Sequence, residues 1–289
     1  MLSTLLLGAL LAPPLFYVGQ HAATVPALGF LAESDFRRYF NRAILAGALI
    51  SFYPLLRWVG WRNLSGLGLR PDPHRWRHLA GGFLISFVTI ILLGIVLTNF
   101  GIYHWKRPLP WNLLPRVLAS ALTVGALEEG LFRGLFLGVA KRHARPVTAA
   151  VFVSALFAIL HFLKPVEDAS LPVRWYSGLA LIPQIFGQFT EPQLVVAGFT
   201  TLFVLGMMLA HATLRTGSLW LSIGLHSGLV FGKMGFNKLA KRVADTMPWF
   251  GPDLTIGLGS VLVLLFVWFL SWYFFLRERS FASVVEHAR

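Results

Sequence analysis

Cysteine is missing from the chain, which removes thiolate nucleophiles, disulfides and cysteine-ligated metal together and leaves the redox compartment open. Charge is scarce as well: 13% of residues are charged, against about 25% in soluble domains, while 56% are hydrophobic and the mean hydropathy is +0.68. That balance excludes an ordinary soluble globule and reads as a multi-span membrane protein. Acids are the rarest charge, 12 against 25 Lys and Arg, giving a net charge of +13. In a soluble domain such an excess would suggest nucleic acid. Here the bases are scattered over short connections between apolar runs, so the expected partner is anionic lipid headgroups and not nucleic acid. The features of a removable leader are scarce in the first apolar run: Leu5 to Val18 is interrupted by Pro13 and Pro14 and has no basic start or small-residue cleavage site. It reads as a retained, kinked first span.

Seven further apolar runs follow, at Ala43 to Trp58, Leu79 to Ile102, Leu113 to Ala140, Val147 to Leu163, Leu194 to Leu214, Ser218 to Phe236 and Leu254 to Leu276. The expected fold is therefore all-α, a polytopic membrane bundle of about eight transmembrane helices in one domain covering residues 1–289, with a core at about 113–236. Gly60 to His78 mixes Arg with Trp and Leu, as an interfacial segment would. Tyr103, Trp105 and Trp111 mark another interface. The stretch from Pro165 to Pro192 reads as a long loop with an interfacial or re-entrant piece. Lys and Arg divide almost evenly between alternate loops, so the positive-inside rule sets no orientation.

Of the acids, only Glu128 and Glu129 fall inside these spans, and Arg133 is the one base at comparable depth. A lone charge at the centre of a membrane helix costs roughly 2.5–3.5 kcal/mol on insertion scales, so three of them should face protein or a wet cavity. On a helix Glu129 and Arg133 lie one turn apart on one face, and Glu128 is turned from them by about 100°. One carboxylate can pair with Arg133 while the other serves chemistry. The blander alternatives are an ion pair that fixes packing, or the proton relay of a transporter.

Depth selects the partners. Counting about 1.5 Å per residue from the face at Lys141 to Pro146 places Glu128 and Glu129 about 17 Å deep, His161 about 22 Å and His226 about 13 Å. His211 lies near the surface on the same count and reads as interfacial. A Glu with two imidazoles suits hydrolysis: the carboxylate takes a proton from water, one imidazole orients that water, and the other stabilises the oxyanion. The same donors could instead hold Zn²⁺ with an open position for water, so no cofactor is assigned. No His-Glu-x-x-His, no Gly-x-Ser-x-Gly and no intramembrane Asp is present.

Three segments, Glu128-Glu129-Gly-Leu-Phe-Arg133, Phe157-Ala-Ile-Leu-His161 and Ser218-Leu-Trp-Leu-Ser-Ile-Gly-Leu-His226, resemble the motifs of the CAAX protease and bacteriocin-processing (Abi) family of intramembrane endopeptidases. Leu214 to Trp220 and Gly66 to Arg70 add to the resemblance, which is specific over roughly Leu113 to Gly232. It implies an eight-helix glutamate-dependent protease, grouped with the type II enzymes that trim prenylated CAAX proteins, acting on a membrane-associated peptide in what would be a bacterial inner membrane. By position, Glu128 and His161 would activate water, His226 would occupy the oxyanion site, and Glu129 with Arg133 would support that geometry. Phe157 would pack beside the site. One departure stands out. Four residues after the third-motif His the family usually has Asn or Asp, and this chain has Val230, with Ser227 the nearest substitute donor in sequence. Losing an oxyanion donor costs about 10²–10³ in turnover. The second expectation is therefore a non-catalytic immunity or scaffold protein that holds a peptide in the same cavity.

Overall fold

A computed structural model describes residues 2–32, 34–58, 60, 72–163, 165, 172–251 and 254–277. It is 76% helical, so the chain is all-α. The helices are α1 Leu2–Ala22, α2 Phe36–Trp58, α3 Arg75–Asn99, α4 Leu114–Glu129, α5 Leu137–Ala140, α6 Pro146–His161, α7 Ser177–Ala180, α8 Pro192–Thr216, α9 Trp220–Leu239 and α10 Leu258–Ser271. A π-helical segment, Gly130–Phe136, joins α4 to α5 without a break, and another, Trp272–Leu276, extends α10.

Each of the eight expected runs is thus helical. Among the described residues four helices have the length and apolarity of a bilayer crossing: Leu5–Ala22, Arg75–Asn99, Pro192–Thr216 and Leu258–Leu276. Of the eight expected transmembrane helices, four have that character among the described residues. Large apolar side chains exposed along α3 (Leu84, Val88, Leu92) and α10 (Leu262, Phe266, Phe269) are what lipid-facing surfaces require. The protein is integral to a membrane.

The expected interfacial segment at Gly60 to His78 lies largely outside the described residues, as do Gly66 to Arg70 of the resemblance, and from Arg75 onward the chain is the first turn of α3. Just before that helix Asp72 accepts the His74 amide proton at 2.8 Å, which satisfies one of the donors at its start. An unexpected element is a two-stranded antiparallel ribbon, β1 Tyr103–Trp105 with β2 Ala240–Arg242, in register Tyr103↔Arg242 and Trp105↔Ala240. Its strands have three residues each, too short to show a period of two.

The chain divides into two compact units. One comprises Met1–Trp61 and Leu160–Val195. In it α1 packs on α2 around Ala9, Ala12, Phe36, Phe40 and Ala43, joined by Val173, Leu181 and Ile185. Gly8 and Gly19 permit the close approach, since a side chain would strike Ile44 at the first and the Tyr39 ring at the second. The expected loop after α6 contains α7 and a 3₁₀ turn, Pro183–Thr190, and its residues 166–171 lie outside the described set.

The other unit comprises Arg62–Ile159 and Val196–Arg289 and is organised by α3 against α9. The two run parallel: Gly224 backs onto Leu79, Gly228 onto Phe83 and Gly232 onto Ile90. Spaced by four, these glycines form one stripe on α9, and at the first two an added side chain would collide with carbonyl oxygens of α3. Ile90, Leu97, Leu221, Leu225, Leu229 and Phe236 fill the remaining contact. With the stripe committed to α3, the residues about half a turn away on α9, His226 and Ser227, face α4.

Candidate active site

The end of α4 and the π-helical segment carry the charges, and α9 supplies the imidazole. Glu129 and Arg133 are 0% and 2% exposed, and Arg133 Nη1 donates to Glu129 Oε1 at 2.9 Å, the one-turn pair that the spacing suggests. The segment between them is a π-helix, so the guanidinium side of the pair is carried on a widened turn. Arg133 Nη2 also donates to the Gly206 carbonyl of α8 at 3.2 Å. Gly206 lies against Ser154 of α6, where any larger residue would collide. The guanidinium stacks over Phe157 with Cζ 4.5 Å from the ring centroid. Phe157 is fully buried, and its ring meets Phe132 at 5.0 Å and His226 at 6.0 Å, both edge to face. It is a packing platform under the charges, as the sequence suggests.

His226 links the two carboxylates. Its Nδ1 is 2.8 Å from Glu129 Oε1, and its Nε2 is 3.8 Å from Glu128 Oε2. Glu129 Oε1 therefore serves both a guanidinium and an imidazole, a charge-assisted arrangement that fixes the ring plane and directs Nε2 toward Glu128. The Glu128 side chain is 22% exposed against 0% for Glu129, in keeping with the rotation between neighbours on a helix. Sequence reasoning brought these residues to a common depth and paired Glu129 with Arg133. It did not show that the imidazole would bridge the acids, because that depends on which face of α9 the glycine stripe consumes.

His161 is the last residue of α6, half-buried, and belongs to the first unit. Ser227 is fully buried with its Oγ against Gly125, one turn before Glu129 on α4, and has no hydrogen-bond partner among the described residues. Val230 follows His226 by one turn and is half-buried. His211 is engaged with Trp268, whose Nε1 donates to its Nδ1 at 3.0 Å, and stands apart from the acids.

A catalytic zinc needs three protein ligands. The acid and imidazole pair offers Glu128 Oε2 and His226 Nε2 on one side, while Glu129 Oε1 is taken by Arg133 and by His226 Nδ1. Among the described residues no group of three His, Asp or Glu side chains could hold a metal ion. The described donors do not by themselves fit a zinc site.

Residues 110–232 match the family model described as Type II CAAX prenyl endopeptidase Rce1-like. The matched segment includes Glu128, Glu129, Arg133, Phe157, His161 and His226, and it supports the CAAX protease and bacteriocin-processing assignment. No curated protein and no solved structure matches the chain.

Proposed function

We propose, from the CAAX protease and bacteriocin-processing family to which residues 110–232 are assigned, that this integral membrane protein is a glutamate-dependent endopeptidase. It hydrolyses a peptide bond of a membrane-associated substrate, prenylated and CAAX-like or bacteriocin-like, in a bacterial inner membrane. The observation that carries the reading is the imidazole of His226 held by Glu129 at 2.8 Å with its other nitrogen 3.8 Å from Glu128.

In this reading Glu128 Oε2 takes a proton from water, and the hydroxide attacks the scissile carbonyl carbon. Glu129 accepts the Nδ1 proton of His226, which leaves Nε2 to meet the developing oxyanion. Donation from Nε2 requires the imidazolium form. In that form Glu128, Glu129, Arg133 and His226 sum to zero charge, the balance a low-dielectric interior favours. Collapse of the tetrahedral intermediate breaks the C–N bond, and the proton held by Glu128 passes to the leaving amine. The family motif gives His161 the water-orienting role, and that role rests on the motif alone. Arg133 and Phe157 keep Glu129 in place and touch no reacting atom.

A second reading rests on Val230. Where a second oxyanion donor would project, one turn from His226, the chain carries an apolar side chain. Ser227 could donate only after its hydroxyl turns away from Gly125. A binding protein that holds a peptide without cutting it would have this composition.

Incubating purified wild type and Glu128→Gln with a library of membrane peptides, and reading cut sites by mass spectrometry, separates the two. Cleavage by wild type and none by the variant is expected. An uncut library with wild type, alongside retained peptide binding in His226→Ala, would establish the binding protein instead. Val230→Asn is expected to raise turnover by about tenfold, a fraction of what a well-placed donor contributes. No gain in initial rate would mean that position 230 does not face the oxyanion.

A further inference from the structure

At the membrane face where α3 begins and the π-helical extension of α10 ends lies a cavity of about 320 Å³. Its lining is cationic and aromatic: His74, Arg77 and His78 from the start of α3, and Tyr273, Phe275 and Arg277 from the end of α10. Among the described residues the lining contains no acid. The nearby carboxylate, Asp72, is occupied on both oxygens, by the His74 amide at 2.8 Å and by His78 Nδ1 at 2.9 Å. The basic groups are held in place. Arg77 donates to the Phe274 carbonyl at 3.4 Å and lies 5.8 Å from the Phe275 ring centroid, Arg277 lies 5.7 Å from the Tyr273 ring, and His78 meets Phe275 edge to face.

Two features give the cavity its level in the bilayer. Both helices that form it are apolar enough to cross a membrane, and both end here. Trp76 and Tyr273 are exposed at 67% and 48% beside it, where amphipathic aromatic rings mark the headgroup layer. A hollow at that depth with two guanidiniums and two imidazoles in its lining is complementary to a phosphate group.

We propose that this cavity binds a phosphate group, the chemistry shared by an anionic phospholipid headgroup and free phosphate. The site is separate from the carboxylates of α4 and independent of the protease reading. Two arginines near an anionic surface each strengthen binding about fivefold, so removing both is expected to weaken it roughly thirty-fold.

The full chain in detergent is titrated with phosphatidylglycerol, with diacylglycerol, which has the acyl chains and no phosphate, and with inorganic phosphate, and thermal unfolding is followed. An increase in Tm with phosphatidylglycerol alone assigns the phosphate to lipid, and an equal increase with inorganic phosphate assigns it to a soluble anion. Both outcomes require that the effect disappear in Arg77→Gln/Arg277→Gln and persist in Arg145→Gln, which alters an exposed base in the loop before α6. Equal increases with diacylglycerol, no increase at all, or a double variant that responds like wild type would overturn the proposal. Should the double variant not fold, the single Arg277→Gln variant, with bound lipid counted by native mass spectrometry, gives the same decision.

Discussion

Two imidazole and carboxylate pairs of nearly equal length occupy the same unit: His226 with Glu129 at 2.8 Å and His78 with Asp72 at 2.9 Å, each through Nδ1. Their surroundings differ. The first lies between α4 and α9 with a guanidinium on the carboxylate and a second carboxylate facing Nε2. The second lies at the start of α3, where the acid also accepts the His74 amide and the imidazole packs on Phe275. The contrast teaches that the pair itself confers little. What stands across from the other ring nitrogen, and how far the charges are from water, separate a pair that faces a second carboxylate from a pair that orders a helix start beside a basic cavity.

Substitutions can break or sharpen this contrast. Glu128→Gln should lower turnover by roughly 10²–10⁴ without loss of folded protein, because it removes a base and leaves the Glu129, Arg133 and His226 bonds intact. Asp72→Asn in the same assay should leave turnover within a few fold, and equal losses in both would erase the distinction. Arg133→Leu acts on stability. It leaves Glu129 buried without its guanidinium, an uncompensated charge costing about 3–5 kcal/mol, read as a large drop in Tm or in recovered protein. A stable variant would mean that His226 alone compensates the acid.

Gly228→Leu is expected to cost about 1–3 kcal/mol or more, since its side chain meets the Phe83 carbonyl, and to displace His226 along with α9. Unfolding and turnover should therefore fall together. The smallest effect concerns Asp72. Burial alone would raise its pKa, and the His74 amide, the His78 ring and the Ser218 hydroxyl together outweigh this and hold it below the ordinary 3.8. A depressed carboxyl stabilises the fold above its unfolded value and loses that contribution as pH falls through the folded value. As pH falls from 7 to below 3.8 the wild type should lose stability that Asp72→Asn does not. Parallel pH profiles for the two proteins would show that the contacts contribute nothing to the fold.

Much of this was legible in the amino-acid order. The apolar runs give the helices because a bilayer-length stretch has few other ways to satisfy its backbone. The spacing of Glu129 and Arg133 gives their pair, and depth counting brings His226 near the acids. Other features were not legible. The Gly224, Gly228 and Gly232 stripe is visible as a spacing of four, but the helix that it admits could be any neighbour. The ribbon of β1 and β2 joins residues more than a hundred positions apart. The cavity at Arg77 and Arg277 needs the start of one helix and the end of another to meet.

The sequence by itself determined that this protein is helical, lies in a membrane and buries two acids and a base in one helical run, since hydropathy and helical period are local properties. Only the tertiary structure decided that His226 would bridge those acids and that Ser227 would turn into Gly125. Which face of α9 remains for α4 is set by the close packing of its glycines against α3, and such packing is a property of two surfaces, not of one string of residues.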